Sequence, residues 1–300
     1  MDQRNLGLRC PICGAELAAS ERAWRCPNGH SYDRARQGYV NLLGPRTRAR
    51  GDSPPMLRAR RRFLEAGHYA PLAQAISDEI AAWLRRAPDM AARALVDCGC
   101  GEGYYLSHLA QTLRDNLQSA NWRLYGFDVA RDAVRLAASR GYGPAGAALF
   151  VASMWDGLPF ADASVGVALI IFAPRNPAEL ARVIAPGGLL LIVTPALEHL
   201  AEARAALPWL LTPEPEKSAR LRAALADAFT LASARDVSFP LALDAAALAD
   251  LAEMTPHRPL RADESDAARQ ATIHAAAEAA PGGRLTVMAS CIVSAFFRIL

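Results

Sequence analysis

Four residues near the start of the chain have the types and spacing of a metal site. Cys10-Pro-Ile-Cys13 is followed, after 12 residues, by Cys26-Pro-Asn-Gly-His30. Two short turns, each aiming two donors at one centre, is the arrangement that binds zinc. Three thiolates and one imidazole close a tetrahedron and leave no position for water, so the expected ion is a single structural Zn2+ held by Cys10, Cys13, Cys26 and His30. A redox pair would sit in a strand-to-helix turn of thioredoxin type, which is absent here, and a disulfide would need an oxidising compartment. The other cysteines, Cys98, Cys100 and Cys291, lie in apolar stretches and are expected to be small buried residues.

A second constellation follows Val96: Asp97-Cys-Gly99-Cys-Gly101-Glu102-Gly103. Glycines let the backbone pass close beneath a ligand. In dinucleotide folds such a turn holds pyrophosphate at a helix N-terminus. Here the glycine register differs, and acidic residues stand before and inside the turn. They would repel a pyrophosphate and suit a cation. S-adenosylmethionine carries an α-ammonium and a sulfonium, and Asp97 is placed to receive the ammonium. About 30 residues on, Gly126-Phe-Asp128 puts an acidic residue at a second strand end, where ribose hydroxyls donate. With Pro186-Gly-Gly188 before a later strand, these features look like the class I SAM-dependent methyltransferase fold.

The elements that must position these residues alternate. Strands are expected at 94–98, 122–128, 147–152, 165–172 and 188–194, with helices at 104–113, 131–140 and 177–184 between them. That rhythm predicts an α/β fold with a Rossmann-like, doubly wound, mostly parallel sheet. Two helices, 56–67 and 71–86, precede it. Residues 197–251 read as largely helical with a strand near 232–239, and 285–300 reads as a long final strand. The expected domains are a zinc-binding RNA-recognition module at 1–45, a basic linker with helices at 46–92, and a SAM-binding methyltransferase domain at 93–300.

Composition narrows the classes. Of 300 residues 52% are hydrophobic and 21% charged, which excludes a disordered or fibrous chain. No apolar run is long enough for a membrane span, and the first residues hold no secretory h-region, so a cytoplasmic protein is expected. Charge is uneven: residues 1–62 hold 13 Arg against 5 acidic residues, a net +8 within an overall +3. A basic N-terminal fifth on an acidic body suits an anionic partner. Trp24, Tyr32 and Tyr39, set among the arginines, are candidates either for stacking on unpaired bases or for packing the small zinc core.

With the zinc segment added, the chain resembles the large-subunit ribosomal RNA guanine-N1-methyltransferases, the family that includes tylosin-resistance methyltransferases. The stretches that carry the resemblance are the two Cys turns, Gly38-Tyr-Val-Asn-Leu-Leu43, Gly51-Asp-Ser53, Ala59-Arg-Arg61, Ala66-Gly-His-Tyr69, the Asp97 loop, Leu158-Pro-Phe160, Phe172-Ala-Pro174, Thr194-Pro195 with His199, and Met254-Thr-Pro256. The resemblance implies a zinc module that contributes to RNA recognition and SAM contacts at Tyr69, Gly101, Glu102 and His199, beside Asp97, Gly99, Gly103 and Asp128. It implies methylation of N1 of a guanine in a hairpin loop of 23S rRNA, and a homodimer. One departure is Ile170, where the family often has arginine; the nearest arginine after it is Arg175. Phe172-Ala-Pro174 also lacks the polar group that orients an exocyclic amine and the Cys nucleophile of carbon-5 methylation, leaving a ring nitrogen as the compatible acceptor. The alternatives are a small-molecule SAM-dependent methyltransferase, which would not need the basic zinc segment, and a non-catalytic zinc-bearing RNA-binding protein, which would not need an intact Asp97 loop.

Overall fold

The computed structural model describes residues 4–44, 47, 51–119, 121–142, 146–260 and 264–299. Position 45 of the expected zinc module and positions 46 and 48–50 of the expected linker lie outside the described residues.

The chain begins with a small antiparallel sheet of β1 (Arg4–Arg9), β2 (Glu16–Ala19), β3 (Ala23–Arg25) and β4 (Ser31–Asp33), paired in sequence order. It buries Leu8, Leu17, Ala23 and Trp24. A short strand, β5 (Val40–Asn41), follows and leaves this sheet for the larger one.

Helix α1 (Pro54–Glu65) starts where the Ser53 side chain accepts from the Met56 N–H, and α2 (Ala70–Arg86) turns Leu72, Ile76 and Ile80 inward. Next come β6 (Ala94–Cys98), α3 (Tyr104–Thr112), α4 (Arg114–Ser119), β7 (Arg123–Asp128), α5 (Arg131–Ala137) and β8 (Ala148–Val151). They are followed by β9 (Val165–Ile171), α6 (Pro177–Val183), β10 (Ile184–Pro195), α7 (Ala201–Ala206) and α8 (Lys217–Leu225). The chain closes with β11 (Phe229–Leu243), α9 (Ala245–Met254), α10 (Asp266–Glu278) and β12 (Leu285–Arg298).

The large sheet has the order β11-β12-β10-β9-β6-β7-β8-β5. From β5 to β10 every pair is parallel, while β12 runs antiparallel to both β10 and β11. All seven residues of β9 are buried, as a strand covered on both faces requires. The doubly wound sheet expected from the alternation is therefore present.

One core lies under α1, α2 and α3; the other joins the zinc module to the opposite face, with Leu8, Leu17 and Trp24 against Phe127, Phe150 and Phe160. Leu8 also bridges Phe160, and the Arg9 N–H donates to Pro159 O at 2.8 Å. The module is thus part of the large sheet's own packing.

The C-terminal third departs from the expectation. The strand expected near 232–239 spans 229–243, because its alanines and polar residues pair along the whole of β12 and lie on an exposed edge. Helix α10 was not legible as an element.

Candidate functional site

The metal-type residues converge. One donor atom from each of Cys10, Cys13, Cys26 and His30 lies within 4.8 Å of all the others. Cys10 and Cys13 flank the turn after β1, and Cys26 and His30 flank the turn after β3. Left-handed Gly14 and Gly29 close these turns with N–H bonds back to Cys10 O and Cys26 O. Cys13 Sγ to Cys26 Sγ is 3.7 Å and Cys26 Sγ to His30 Nδ1 is 3.4 Å. The first separation is far beyond a disulfide and matches the ~3.8 Å edge of a tetrahedron with Zn–S bonds of about 2.3 Å. The donor set and spacing fit a closed zinc site. The Tyr32 hydroxyl lies 3.1 Å from Cys10 Sγ, so it supports a ligand from outside the tetrahedron. The two other N-terminal aromatics pack rather than stack on RNA. Trp24 is buried edge-on against Phe150, and Tyr39 is buried in the core under α1 and α2.

The glycine loop joins β6 to α3. Gly99 and Gly103 both have positive φ, and a Cβ would stand 2.6 Å from Ala173 Cβ at the first and 2.5 Å from the Tyr142 hydroxyl at the second. Only glycine fits either place. Asp97, the fourth residue of β6, is 2% exposed, and its Oδ1 has no hydrogen-bond partner. Burial, reinforced by the Asp128 and Glu102 charges, pushes its pKa up to about 7. A buried carboxylate oxygen with nothing to accept from is a receptor for a cationic donor. The cationic ammonium expected for this loop fits it.

Asp128 ends β7 and accepts from the Gly101 N–H at 3.0 Å and the Ala130 N–H at 2.8 Å. Its burial raises its pKa, and these two bonds oppose the rise. It thereby locks the glycine loop to the strand end, with accepting capacity left for a sugar hydroxyl. Glu102 is placed differently from a free contact. It is buried in an ion pair with Arg140, whose Nε donates to its carboxylate at 2.8 Å.

Tyr69 and His199 meet: the hydroxyl lies 3.3 Å from Nε2. Burial drives the His199 pKa down to about 4, so the ring is neutral at pH 7, and its Nδ1 is fixed against the Ser290 backbone. Phe172 packs beside His199 at 6.0 Å between ring centroids. Because Ala173 abuts Gly99, the pair and the glycine loop stand together at the C-terminal ends of β6, β9 and β10, the position of the ligand crevice in open α/β sheets.

Some residues at the crevice had no role in the sequence reading. Arg60 of α1 pairs with Asp52 at 2.5 Å, and its Nη1 would stand 3.6 Å from a Cβ on Gly101. Gly51 presses on Ala130. Their signals in the sequence are the Gly51-Asp-Ser53 and Ala59-Arg-Arg61 stretches and the basic face of α1. Ile170 is wholly buried in the core shared with the zinc module and does not border the crevice.

Comparison with known proteins agrees with this geometry. Residues 8–47 match the family model described as RlmA, N-terminal, and residues 95–188 match a methyltransferase domain. A 23S rRNA (guanine(748)-N(1))-methyltransferase of Streptomyces fradiae is 42% identical over 83% of this chain and 84% of its own. A putative 23S rRNA (guanine-N(1)-)-methyltransferase of Bacillus subtilis is 30% identical over 83% and 85%. The solved structure of a loganic acid methyltransferase with SAH covers 84% of this chain and 98% of its own, at 13% identity and a TM-score of 0.56, a likeness of fold alone.

Proposed function

The chain belongs to the family of 23S rRNA (guanine-N1)-methyltransferases, and from that premise we propose that it methylates N1 of one guanine in a hairpin loop of 23S rRNA. The observation that carries the reading is the union of two sites in one packed body. A zinc turn pair on a basic segment shares its core with a sheet whose crevice presents an unpartnered buried carboxylate.

When bound, S-adenosylmethionine supplies an electrophilic methyl group on a sulfonium. The residues that would hold it are Asp97 for the ammonium, Asp128 for the ribose hydroxyls, and the backbone of Gly99, Gly101 and Gly103. The Tyr69–His199 pair would form one neutral wall of the crevice. Glu102 acts through Arg140 by holding the loop's outer turn in shape. Zinc would be held by Cys10, Cys13, Cys26 and His30, and its chemistry is structural.

Guanine N1 carries a proton that must leave for the ring nitrogen to act as a nucleophile. The base must also stand out of its stack to enter the crevice. The basic N-terminal segment supplies the phosphate contacts that hold a hairpin in place. We read residues 1–45 as that RNA-binding module, 46–92 as the connecting helices and 93–300 as the methyltransferase domain, with β5 the joint between the first and last. Among the described residues no helix is long and apolar enough to cross a membrane. The ribosomal substrate would place the enzyme in the cytosol, and a homodimer would give the RNA two basic faces.

The test is transfer of labelled methyl from S-adenosylmethionine to 23S rRNA purified from cells lacking the gene, with 16S rRNA and tRNA as controls. Label in 23S rRNA alone supports the reading. Label in none of them, with cofactor binding intact, refutes it.

A further inference from the structure

Three side chains on loops near the glycine turn serve neither the zinc nor the expected cofactor contacts. Trp155, in the loop after β8, is 59% exposed. Phe172, just past β9, is 43% exposed and held at a left-handed φ of 53°. Arg175, three residues on, is half-buried, and among the described residues it has neither a hydrogen bond nor an ion pair. Loss of hydration pulls its pKa below the ordinary arginine value. A half-buried guanidinium without a counter-charge and two large rings in water are both unfavourable in the free protein.

The two loops are tied together and to the cofactor loop. Asn176, next to Arg175, donates from Nδ2 to the carbonyl of Met154, next to Trp155, at 3.3 Å. Ala173, next to Phe172, is the residue that leaves no room for a Cβ on Gly99. The three side chains therefore stand on loops at the C-terminal ends of β8 and β9, beside the glycine turn.

We propose that Trp155, Phe172 and Arg175 form the subsite for the acceptor guanine, with the rings against its faces and the Arg175 guanidinium donating to O6 and N7. The proposal rests on the rRNA guanine reading above. Aromatic faces are how proteins hold an unstacked base. The planar guanidinium fork matches the two acceptors O6 and N7 of guanine. Adenine carries an amino donor in place of O6 and would face the fork donor to donor, so the same contact selects guanine. A fork on the O6/N7 edge leaves N1 open. When the N1 proton passes to solvent water, the electron pair left on N1 is shared with O6, where the guanidinium stabilises the charge. Arg175 would thus ease proton loss without accepting a proton itself.

The test uses an RNA hairpin with the target guanine or 7-deazaguanine at that position, single-turnover methyl transfer, and separate measurements of RNA and cofactor affinity. With the unaltered enzyme, 7-deazaguanine should slow transfer at least about fivefold, the loss of one charge-assisted bond. Arg175→Gln should slow transfer to the natural hairpin about 50-fold and no longer distinguish the two RNAs. Trp155→Ala should weaken RNA binding about tenfold. Cofactor affinity should stay within about twofold in each variant, the sign that the fold is intact. An unaltered enzyme indifferent to 7-deazaguanine overturns the proposal, as does an Arg175→Gln enzyme that still senses it. The first outcome depends on no variant, so a misfolded variant cannot hide it. If the unaltered enzyme transfers no methyl to the hairpin or to 23S rRNA, the rRNA reading fails and the subsite fails with it. If it methylates the hairpin and ignores the deaza substitution, the subsite fails alone.

Discussion

The hydroxyl of Tyr69 lies 3.3 Å from Nε2 of His199, 130 residues away in the chain. This contact ties the start of α2 to the segment after β10, across the crevice that the glycine loop opens. Tyr69 also packs on Phe63 and Phe239, with ring centroids 5.7 and 5.5 Å away. Tyr69→Phe keeps that packing and removes one hydrogen bond of about 1 kcal/mol. Cofactor affinity should fall about fivefold while thermal stability shifts by only a few degrees, read by calorimetry and by a melting curve. An unchanged affinity would remove the pair from the binding site.

Asp97 should make cofactor binding sensitive to pH. Its carboxyl must be ionised to receive an ammonium, and in the free protein its pKa is about 7. Affinity should weaken as pH falls from 8 to 6, and Asp97→Asn should abolish binding at every pH. The stability effect has the opposite sign. A carboxyl whose folded pKa lies above its unfolded value keeps its proton better when folded, so stability is lost as pH rises from about 4 through 7. Without cofactor, Asp97→Asn should therefore be more stable than the natural protein at pH 8, by about 4 kcal/mol, and the gap should close toward pH 4. Paired melting curves at the two pH values check this.

Gly99→Ala tests the close approach of two loops. Its Cβ would fall 2.6 Å from Ala173 Cβ at a φ of +78°. The variant should fold with a loss of about 2 kcal/mol and bind cofactor at least tenfold more weakly, because the loop must move off its ligand to make room. Normal affinity would mean that the loop does not hold the cofactor.

Zinc removal should reach beyond the zinc module. The Leu42 N–H donates to Val151 O at 2.9 Å, and β5 forms the edge of the catalytic sheet next to β8. Such a small module depends on its metal for folding. A chelator or Cys10→Ser should take bound zinc from one per chain to none, release β5 from its pairing, and lower the melting temperature of the whole chain. Hydrogen exchange at the Leu42 amide, which donates to Val151 O, should rise with it. Protection unchanged at this amide would show that the pairing with the large sheet does not depend on the metal.

Much of the site could be read from local pattern because its chemistry is local. Cys10, Cys13, Cys26 and His30 lie on two tight turns, and Asp97 to Gly103 is one strand-to-helix turn, so spacing alone carries their meaning. What was not legible depends on distance. Glu102 finds Arg140 38 residues later, a pairing no motif announces. Strand β5 is two residues long, too short for any periodicity, and only its partner β8 makes it a strand. Trp24 could have stacked on RNA, yet Phe150 from the large sheet covers it. Phe172, the last residue of the strand expected over 165–172, is exposed because the left-handed turn at that residue carries its ring out of β9.

Methyl transfer to one ring nitrogen is read most directly from the product nucleoside. After reaction of the zinc-loaded protein with S-adenosylmethionine and 23S rRNA, the RNA is digested and its methylated nucleosides are resolved by mass spectrometry against standards. The account predicts a single new product, N1-methylguanosine, from one hairpin fragment. Methyl on the exocyclic amine, on N7, on a pyrimidine, or spread over many fragments would contradict it.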